Sequence, residues 1–268
     1  MTQVKRKVIL ITGGSSGIGL ESAKFFARKG YCVYATSRHC REQMKKYGAG
    51  YIIFKKMDVT DEESIKRVIC SIKVIDVVLH CAGFGIAGAA EEIPIELVKR
   101  QMDTNFFGVL RVNAEVLPVM RKQNCGIIII VSSVAGKVGI PFQSHYSASK
   151  FALEGYAEAL KLEVKPFHIG VSLIEPGDTK TSFTKKREVW CPKNSVYQVS
   201  CERAVGKMAH DEENGKSSET VARLAYQMAQ KKKVPMRKAV GMKYKFFCFL
   251  QRFLPSHIFL WMLEKYYC

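Results

Sequence analysis

The sequence predicts an α/β fold: one doubly wound parallel sheet of about seven strands with helices on both faces. Two observations carry this. Short apolar, β-rich runs alternate with segments of helical pattern through the first two-thirds of the chain, as successive right-handed βαβ units require. The strand-like runs are also apolar almost without interruption, Ile127-Ile128-Ile129-Ile130-Val131 above all. Strands buried on both faces read that way, whereas a half-exposed strand alternates. In such sheets ligands bind at the carboxyl ends of the strands, near the point where the strand order reverses.

The strands read at 7–12, 32–36, 51–54, 75–80, 126–132 and 170–174, with helices at 17–29, 61–71, 95–122 and 146–164. After Pro176 the pattern weakens. Residues 182–216 are polar and basic without clear period and read as a variable substrate loop; a helix resumes at 219–231 and a short strand follows around 238–241. The expected division is a catalytic domain at 1–245, with a small substrate lid, and an amphipathic aromatic and basic tail at 246–268, where Pro255 separates two pieces. No Gly/Ser/Pro-rich linker, repeat or low-complexity tract interrupts the chain.

The formal charge is +18, and from Lys185 onward 17 Lys/Arg stand against 7 Asp/Glu. Such a surface attracts anionic ligands or anionic membrane as well as water. Without a recognition motif it does not point to nucleic acid. The nine cysteines are scattered with no Cys-x-x-Cys pair, and Cys32 and Cys70 sit in apolar patterns. Reduced, core-filling thiols are expected, with neither a disulfide frame nor a metal site. The apolar run 8–11 is too short for a secretory signal, and no run reaches the ~18 residues of a spanning helix. The expectation is a cytoplasmic protein.

The first strand runs into Thr12-Gly13-Gly14-Ser15-Ser16-Gly17-Ile18-Gly19, and a helix follows. A Gly-rich string alone is weak evidence; between a strand and a helix it reads as a dinucleotide turn. Gly13 permits a tight turn, Gly17 lets backbone approach a pyrophosphate at the helix N-terminus, and Gly19 permits close packing. Tyr146 and Lys150 stand four residues apart on a helix, hence on one face. A phenol beside an ammonium can act as a general acid or base.

The spacing of the turn resembles the Thr-Gly-x-x-x-Gly-x-Gly motif of short-chain dehydrogenases/reductases. The resemblance extends over roughly 7–241 through several ordered motifs. It implies a Rossmann-type fold and an oxidoreductase acting on alcohols or carbonyls, with Gly13, Ser15, Ser16, Gly17, Ile18 and Gly19 around the cofactor. Strand two ends in Thr36-Ser37-Arg38, with no acid to take the ribose hydroxyls. Arg38, with Ser37 and Ser15, suits a 2′-phosphate, so NADP(H) is expected. Asp58 and Val59 resemble the adenine contacts, although Asp58 or Thr60 is equally suited to cap the next helix. Ala82 and Gly83 match the family's Asn-Asn-Ala-Gly, while His80 and Cys81 depart from it. His80 reads as a buried, satisfied imidazole rather than a catalytic one.

By the same resemblance Ser133, thirteen residues before Tyr146, would orient the substrate oxygen; Lys150 would also hold the nicotinamide ribose and lower the Tyr146 pKa. Asn105 would complete a tetrad by holding a water that leads to Lys150. Pro176-Gly177-Asp178-Thr179-Lys180-Thr181 resembles the turn that clamps the nicotinamide carboxamide, through Thr179 backbone and the Thr181 hydroxyl. Phe84, Ile86, Phe142, the stretch 183–190 and Gly139-Ile140-Pro141 are candidates for an apolar substrate wall. Residues 33–38 and 81–85 look similar to hydroxysteroid and retinol dehydrogenase branches. A steroid, bile acid, retinoid or other lipid carbonyl is therefore the first expectation, with a 3-ketoacyl thioester or small ketone as the alternative. A cofactor-sensing protein without turnover is the alternative of another class, disfavoured because Tyr146 and Lys150 are both present. The resemblance also implies a homo-oligomer, dimer or tetramer. The tail is suited to peripheral membrane contact, to capping the pocket or to packing on another subunit.

Overall fold

The computed structural model describes residues 6–267; Lys5 at the basic N-terminus and Cys268 at the end of the tail lie outside the described residues. β1 (Val8–Thr12) runs through the Gly-rich turn into α1 (Gly17–Arg28). Then come β2 (Cys32–Ser37), β3 (Gln43–Tyr47), β4 (Gly50–Lys56), α2 (Glu62–Cys70), β5 (Val77–His80) and the short β6 (Ile86–Gly88). α3 (Ile95–Met102) passes through a π-helical turn, Asp103–Phe107, into α4 (Gly108–Gln123). β7 (Gly126–Val131) leads through a 3-10 turn, Val134–Gly136, to α5 (Ser144–Glu163) and β8 (Ile169–Pro176). The remainder comprises β9 (Thr179–Lys180), α6 (Phe183–Lys186), β10 (Glu188–Trp190), α7 (Gln198–Glu213), β11 (Lys216–Ser217), α8 (Ser218–Ala229), β12 (Arg237–Val240), α9 (Met242–Phe253) and α10 (Ser256–Tyr267).

The main sheet has eight strands in the order β12-β8-β7-β5-β1-β2-β4-β3. Seven are mutually parallel, as expected. The eighth, β3, pairs antiparallel with β4, Tyr47 opposite Gly50. Its Gln43-Met44-Lys45-Lys46-Tyr47 sequence carries no apolar run. The hairpin is set by Gly48, whose φ of 61° opens a two-residue loop.

Alternation along the central strands divides the core. Leu10, Val78, Ile128 and Ile130 pack with Val112 and Val116 of α4 and Leu153 of α5. Ile9, Ile11, Leu79 and Ile129 face the other way, onto Phe26 of α1 and Val221 and Ala225 of α8. Each fully buried side chain of this size contributes roughly 1.5–3 kcal/mol of transfer free energy, which is why the Ile-rich run can only lie at the centre of a covered sheet.

Three expectations change. The helix expected at 95–122 is interrupted by the π turn, which turns Asn105 toward the loop after β5. The stretch 182–216 is not a structureless loop but carries α7, sixteen residues long. Its buried stripe is only Cys201, Ala204 and Met208, too narrow for a strong periodic signal. Cys191 and Cys201 form a disulfide, with Cα atoms 6.3 Å apart, against the expectation of reduced thiols throughout. The first turn of α7 brings the two together, which their spacing in the sequence does not reveal. Cys32, Cys40, Cys70, Cys81, Cys125 and Cys248 are free.

The tail folds back on the body. Phe259 and Leu263 of α10 are buried with Val134 and Val138, beside Phe247 and Leu254. Gln251 Nε2 donates to the Lys137 carbonyl at 2.6 Å. Among the described residues no helix is long and apolar enough to cross a membrane.

Candidate active site

A cleft of about 560 Å³ opens at the carboxyl ends of the central strands. Of the residues singled out in the sequence, Gly13, Ser15, Ser16, Gly17, Ile18, Gly19, Ser37, Arg38, Asp58, Val59, Ala82, Gly83, Ser133, Tyr146, Lys150, Pro176, Gly177, Thr179 and Thr181 all line it. Asn105 does not; it stands behind the wall.

The Gly-rich turn is pinned to the neighbouring strand. Thr12 Oγ1 accepts from the backbone N–H groups of Cys81 at 3.2 Å and Ala82 at 3.3 Å. Gly13 and Gly17 adopt φ of 68° and 52°, the left-handed region where a Cβ is disfavoured. A Cβ on Gly19 would lie 2.2 Å from the Gly13 carbonyl oxygen, so this glycine lets the first turn of α1 close against the loop. Ser16 precedes the helix, and its side chain makes no cap. On the rim beyond β2, Ser37 Oγ is buried without a hydrogen-bond partner. Arg38 beside it is exposed and, among the described residues, has no ion-pair partner. Asp58 accepts from both the N–H and the hydroxyl of Thr60, at 2.9 and 2.8 Å. Neither residue caps the next helix: Asp61 does, accepting from Glu63 and Ser64 N–H.

Tyr146 lies in the first turn of α5, buried and hydrogen-bonded to Ser133. Ser133 Oγ also accepts from Ala135 N–H at 3.1 Å, which fixes its direction. Lys150 Nζ sits 5.7 Å from the Tyr146 ring centroid and donates to the Val131 carbonyl at 2.9 Å. Burial governs both ionisations. It pushes the Tyr146 phenol up to about 12, against the lowering by Ser133. It brings Lys150 down to about 8. The lowering of Tyr146 expected from Lys150 is not seen: desolvation dominates, and the opposing effects come from the Ser133 hydrogen bond and then Arg187.

Asn105 is fully enclosed. Its Oδ1 accepts from Phe84 N–H, and its Nδ2 donates to the Phe84 carbonyl and to Ser149 Oγ, at 3.0, 3.0 and 3.2 Å. It therefore locks the loop after β5 to the turn of α5 that carries Lys150. His80 is enclosed too: its Nε2 meets Asn113 Oδ1 at 2.9 Å, and Asn113 Nδ2 donates to Tyr156 at 3.1 Å.

Residues 7–192 match the family model described as short chain dehydrogenase. The chain belongs to the short-chain dehydrogenase family. Along 97% of its length it is 38% identical to a 3-ketodihydrosphingosine reductase of Bacteroides thetaiotaomicron, covering 98% of that protein. It is also 38% identical to human retinol dehydrogenase 8 over 190 residues, 67% of this chain and 61% of the relative. A short chain dehydrogenase from Burkholderia cenocepacia J2315, solved in complex with NADP, shares the fold. Its TM-score is 0.77 at 19% identity, over 96% of this chain and 97% of the other.

In this short-chain dehydrogenase the wall opposite Tyr146 comes from α6, within the stretch 183–190 expected to line the substrate, and from α7, α9 and α10. Phe183 of α6 lies 5.7 Å from the Tyr146 ring, centroid to centroid. Arg187 and Glu212 form a buried ion pair that ties the end of α6 to α7, and Thr184 donates to the same carboxylate. Lys186 reaches back to donate to Ser16 Oγ at 3.3 Å. Met208 and Glu212 of α7, Tyr244 of α9 and Tyr267 of α10 complete the lining. Only the narrow Cys201/Ala204/Met208 spacing hinted at α7; capping of the pocket was one of the three roles open to the tail, and Tyr267 borders the cleft, while Tyr244, ahead of the tail expected at 246–268, was not singled out. Phe84, Ile140 and Phe183 of the expected substrate wall do line the cleft. Ile86 is buried core in β6, and Trp190 points to solvent, so the apolar wall is shorter than expected and partly aromatic.

Proposed function

We propose that the chain is an NADPH-dependent oxidoreductase that interconverts a secondary alcohol and a ketone on a lipid-like substrate. The observation that carries this is the convergence of Tyr146, Ser133 and Lys150 on one wall of a cleft whose other end is the Gly-rich turn. The cofactor fits the residues present. At Gly17, which heads α1, a Cβ would meet only Thr181 at 3.6 Å, so the helix N-terminus is open to the approach of a pyrophosphate, while Gly13, Gly14 and Gly19 let the turn itself close. The Ser37 hydroxyl, without a hydrogen-bond partner, and Arg38, without an ion-pair partner among the described residues, offer a donor and a charge to a 2′-phosphate. Asp58 and Val59 would border the adenine, Ala82 and Gly83 the ribose, and Pro176, Gly177, Thr179 and Thr181 the nicotinamide.

NADPH supplies the hydride when bound. The substrate oxygen is held by Ser133 and takes its proton from the Tyr146 hydroxyl; in the reverse direction Tyr146 removes it. Lys150 places a positive charge beside the phenol and holds the nicotinamide ribose. Asn105 acts through position: it fixes Phe84 and Ser149, and so the wall on which Lys150 stands.

The substrate class rests on the lining of Phe84, Ile140, Phe183, Met208, Tyr244 and Tyr267, which suits a long or polycyclic apolar body with one carbonyl. The Bacteroides relative's name adds a long-chain ketosphingoid to the steroid, bile-acid and retinoid candidates. The test is NADPH consumption, with NADH in parallel, against sphingoid, retinoid, steroid, bile-acid and ketoacyl substrates, with Tyr146→Phe as control. Turnover that prefers NADPH and disappears in the variant supports the reading. Tight NADPH binding with no turnover on the whole panel would overturn the substrate class.

A further inference from the structure

We propose that the outer face of α9 and α10 is a docking surface for anionic lipid membrane. The tail has two sides. One is consumed by the fold: Tyr244, Phe247, Leu254, Phe259 and Leu263 pack on the turn that follows Ser133. The other faces solvent and carries an apolar stripe of its own among basic residues. Along α9, Met242, Phe246, Phe249 and Phe253 are exposed at 77, 62, 59 and 67%. Their spacing of four, three and four residues places all four on one helical stripe. Trp261 and Leu260 of α10 are exposed at 57 and 59%. Scattered exposed apolar residues need no explanation, but a continuous aromatic stripe does.

The charges decide what covers it. Lys245 and Arg252 flank Phe249 on the same side of α9, and α9 contains no acidic residue. An aromatic stripe bordered by basic side chains fits the boundary of an anionic bilayer, with the rings at the acyl edge and the cations at the phosphates. A second copy of this chain is the poorer fit, because two such faces would bring Lys245 and Arg252 against their own kind in a protein of net charge +18. A spanning role is not involved: the helices are twelve residues each. The surface lies beside the cleft, since Tyr244 of the same helix lines it. The proposal stands on this surface alone and does not depend on the reaction.

The experiment is vesicle flotation of the full chain with phosphatidylcholine alone and with phosphatidylcholine mixed with phosphatidylglycerol. It uses the wild type, the triple variant Phe246→Ser/Phe249→Ser/Phe253→Ser, and the double variant Lys245→Gln/Arg252→Gln. The expected result is binding to the anionic vesicles only, weakened by salt, and accompanied by a blue shift of tryptophan emission from Trp261. The double variant should bind about fivefold more weakly for each charge removed, and the triple variant should not float. NADPH binding should be unchanged in both variants, which shows that each is folded and separates this outcome from the cofactor reading. Absence of wild-type binding to anionic vesicles, or equal flotation of the triple variant, overturns the proposal. So does sedimentation showing an oligomer that the triple variant dissolves, which would assign the face to a second copy.

Discussion

His80 and Asn113 meet at 2.9 Å in the interior, where β5 leans on α4, and Tyr156 of α5 completes the chain. Because Asn113 donates its amide to Tyr156, its Oδ1 is left to accept from His80, so Nε2 carries the hydrogen. Burial brings His80 down from 6.5 to about 4. The unfolded chain therefore binds a proton that the folded chain refuses between those values. The contribution is fully present above about 6.5 and is lost as the pH falls toward about 4, by on the order of 3 kcal/mol. Urea unfolding of wild type and His80→Asn at neutral pH and at about pH 5 checks this. A wild-type stability as insensitive to acid as the variant's would contradict it.

Lys150 should impose a pH limit on catalysis. Its ammonium is brought down to about 8 by burial. On the proposed mechanism, kcat/KM for carbonyl reduction falls as pH rises through that value, because the charge beside Tyr146 is lost. Lys150→Arg keeps its charge throughout the range and should remove the limb, although at a lower overall rate. If the limb persists in the arginine variant, another group is responsible for it.

Arg38 should set the choice of cofactor. Arg38→Ala is expected to weaken NADPH binding about 10- to 100-fold, the range of a charge-assisted hydrogen bond, and to leave NADH nearly unaffected. Fluorescence titration of the two cofactors measures both. Equal losses would mean that Arg38 shapes the site in general rather than reading the 2′-phosphate.

Lys186 crosses from the lid to Ser16, joining residues 170 positions apart at the turn proposed for the pyrophosphate. Lys186→Met should weaken NADPH binding about three- to tenfold. It should also flatten the salt dependence of binding, since one screened charge is gone. An unaltered salt dependence would place the Lys186 charge away from the phosphates.

Tyr146→Phe leaves the ring that stacks near Phe183 and removes only the hydroxyl. NADPH affinity should stay within about twofold while turnover falls at least 10²-fold. Stopped-flow single-turnover measurements separate the two. A variant that keeps a substantial rate would transfer the acid/base role elsewhere.

The parts that could be read in advance were those encoded locally. The parallel sheet was legible because strands buried on both faces must be apolar throughout, as 127–131 are. The Gly-rich turn was legible because positive φ and close approach exclude side chains, so Gly13, Gly17 and Gly19 leave a mark in the sequence itself. Tyr146 and Lys150 were legible because helical spacing fixes their common face. Asp58 was less so: an acid before a helix reads as a cap or a ligand, and in the folded chain the cap is Asp61.

By itself, then, the sequence determined the strand–helix alternation, the order of the parallel strands' sequence signals and the residues gathered at their carboxyl ends. Only the tertiary structure decided the lid and its partners. Arg187 meets Glu212, Cys191 meets Cys201, Lys186 meets Ser16, and Tyr244 and Tyr267 enter the cleft from the far end of the chain. It also decided the protonation of the site, raising Tyr146 where neighbouring charge alone predicted lowering. The physical reason is common to these cases. Backbone conformation and periodicity act over a few residues and are written in adjacent letters, whereas ion pairing, disulfide approach and desolvation depend on distances that exist only after the chain has closed on itself.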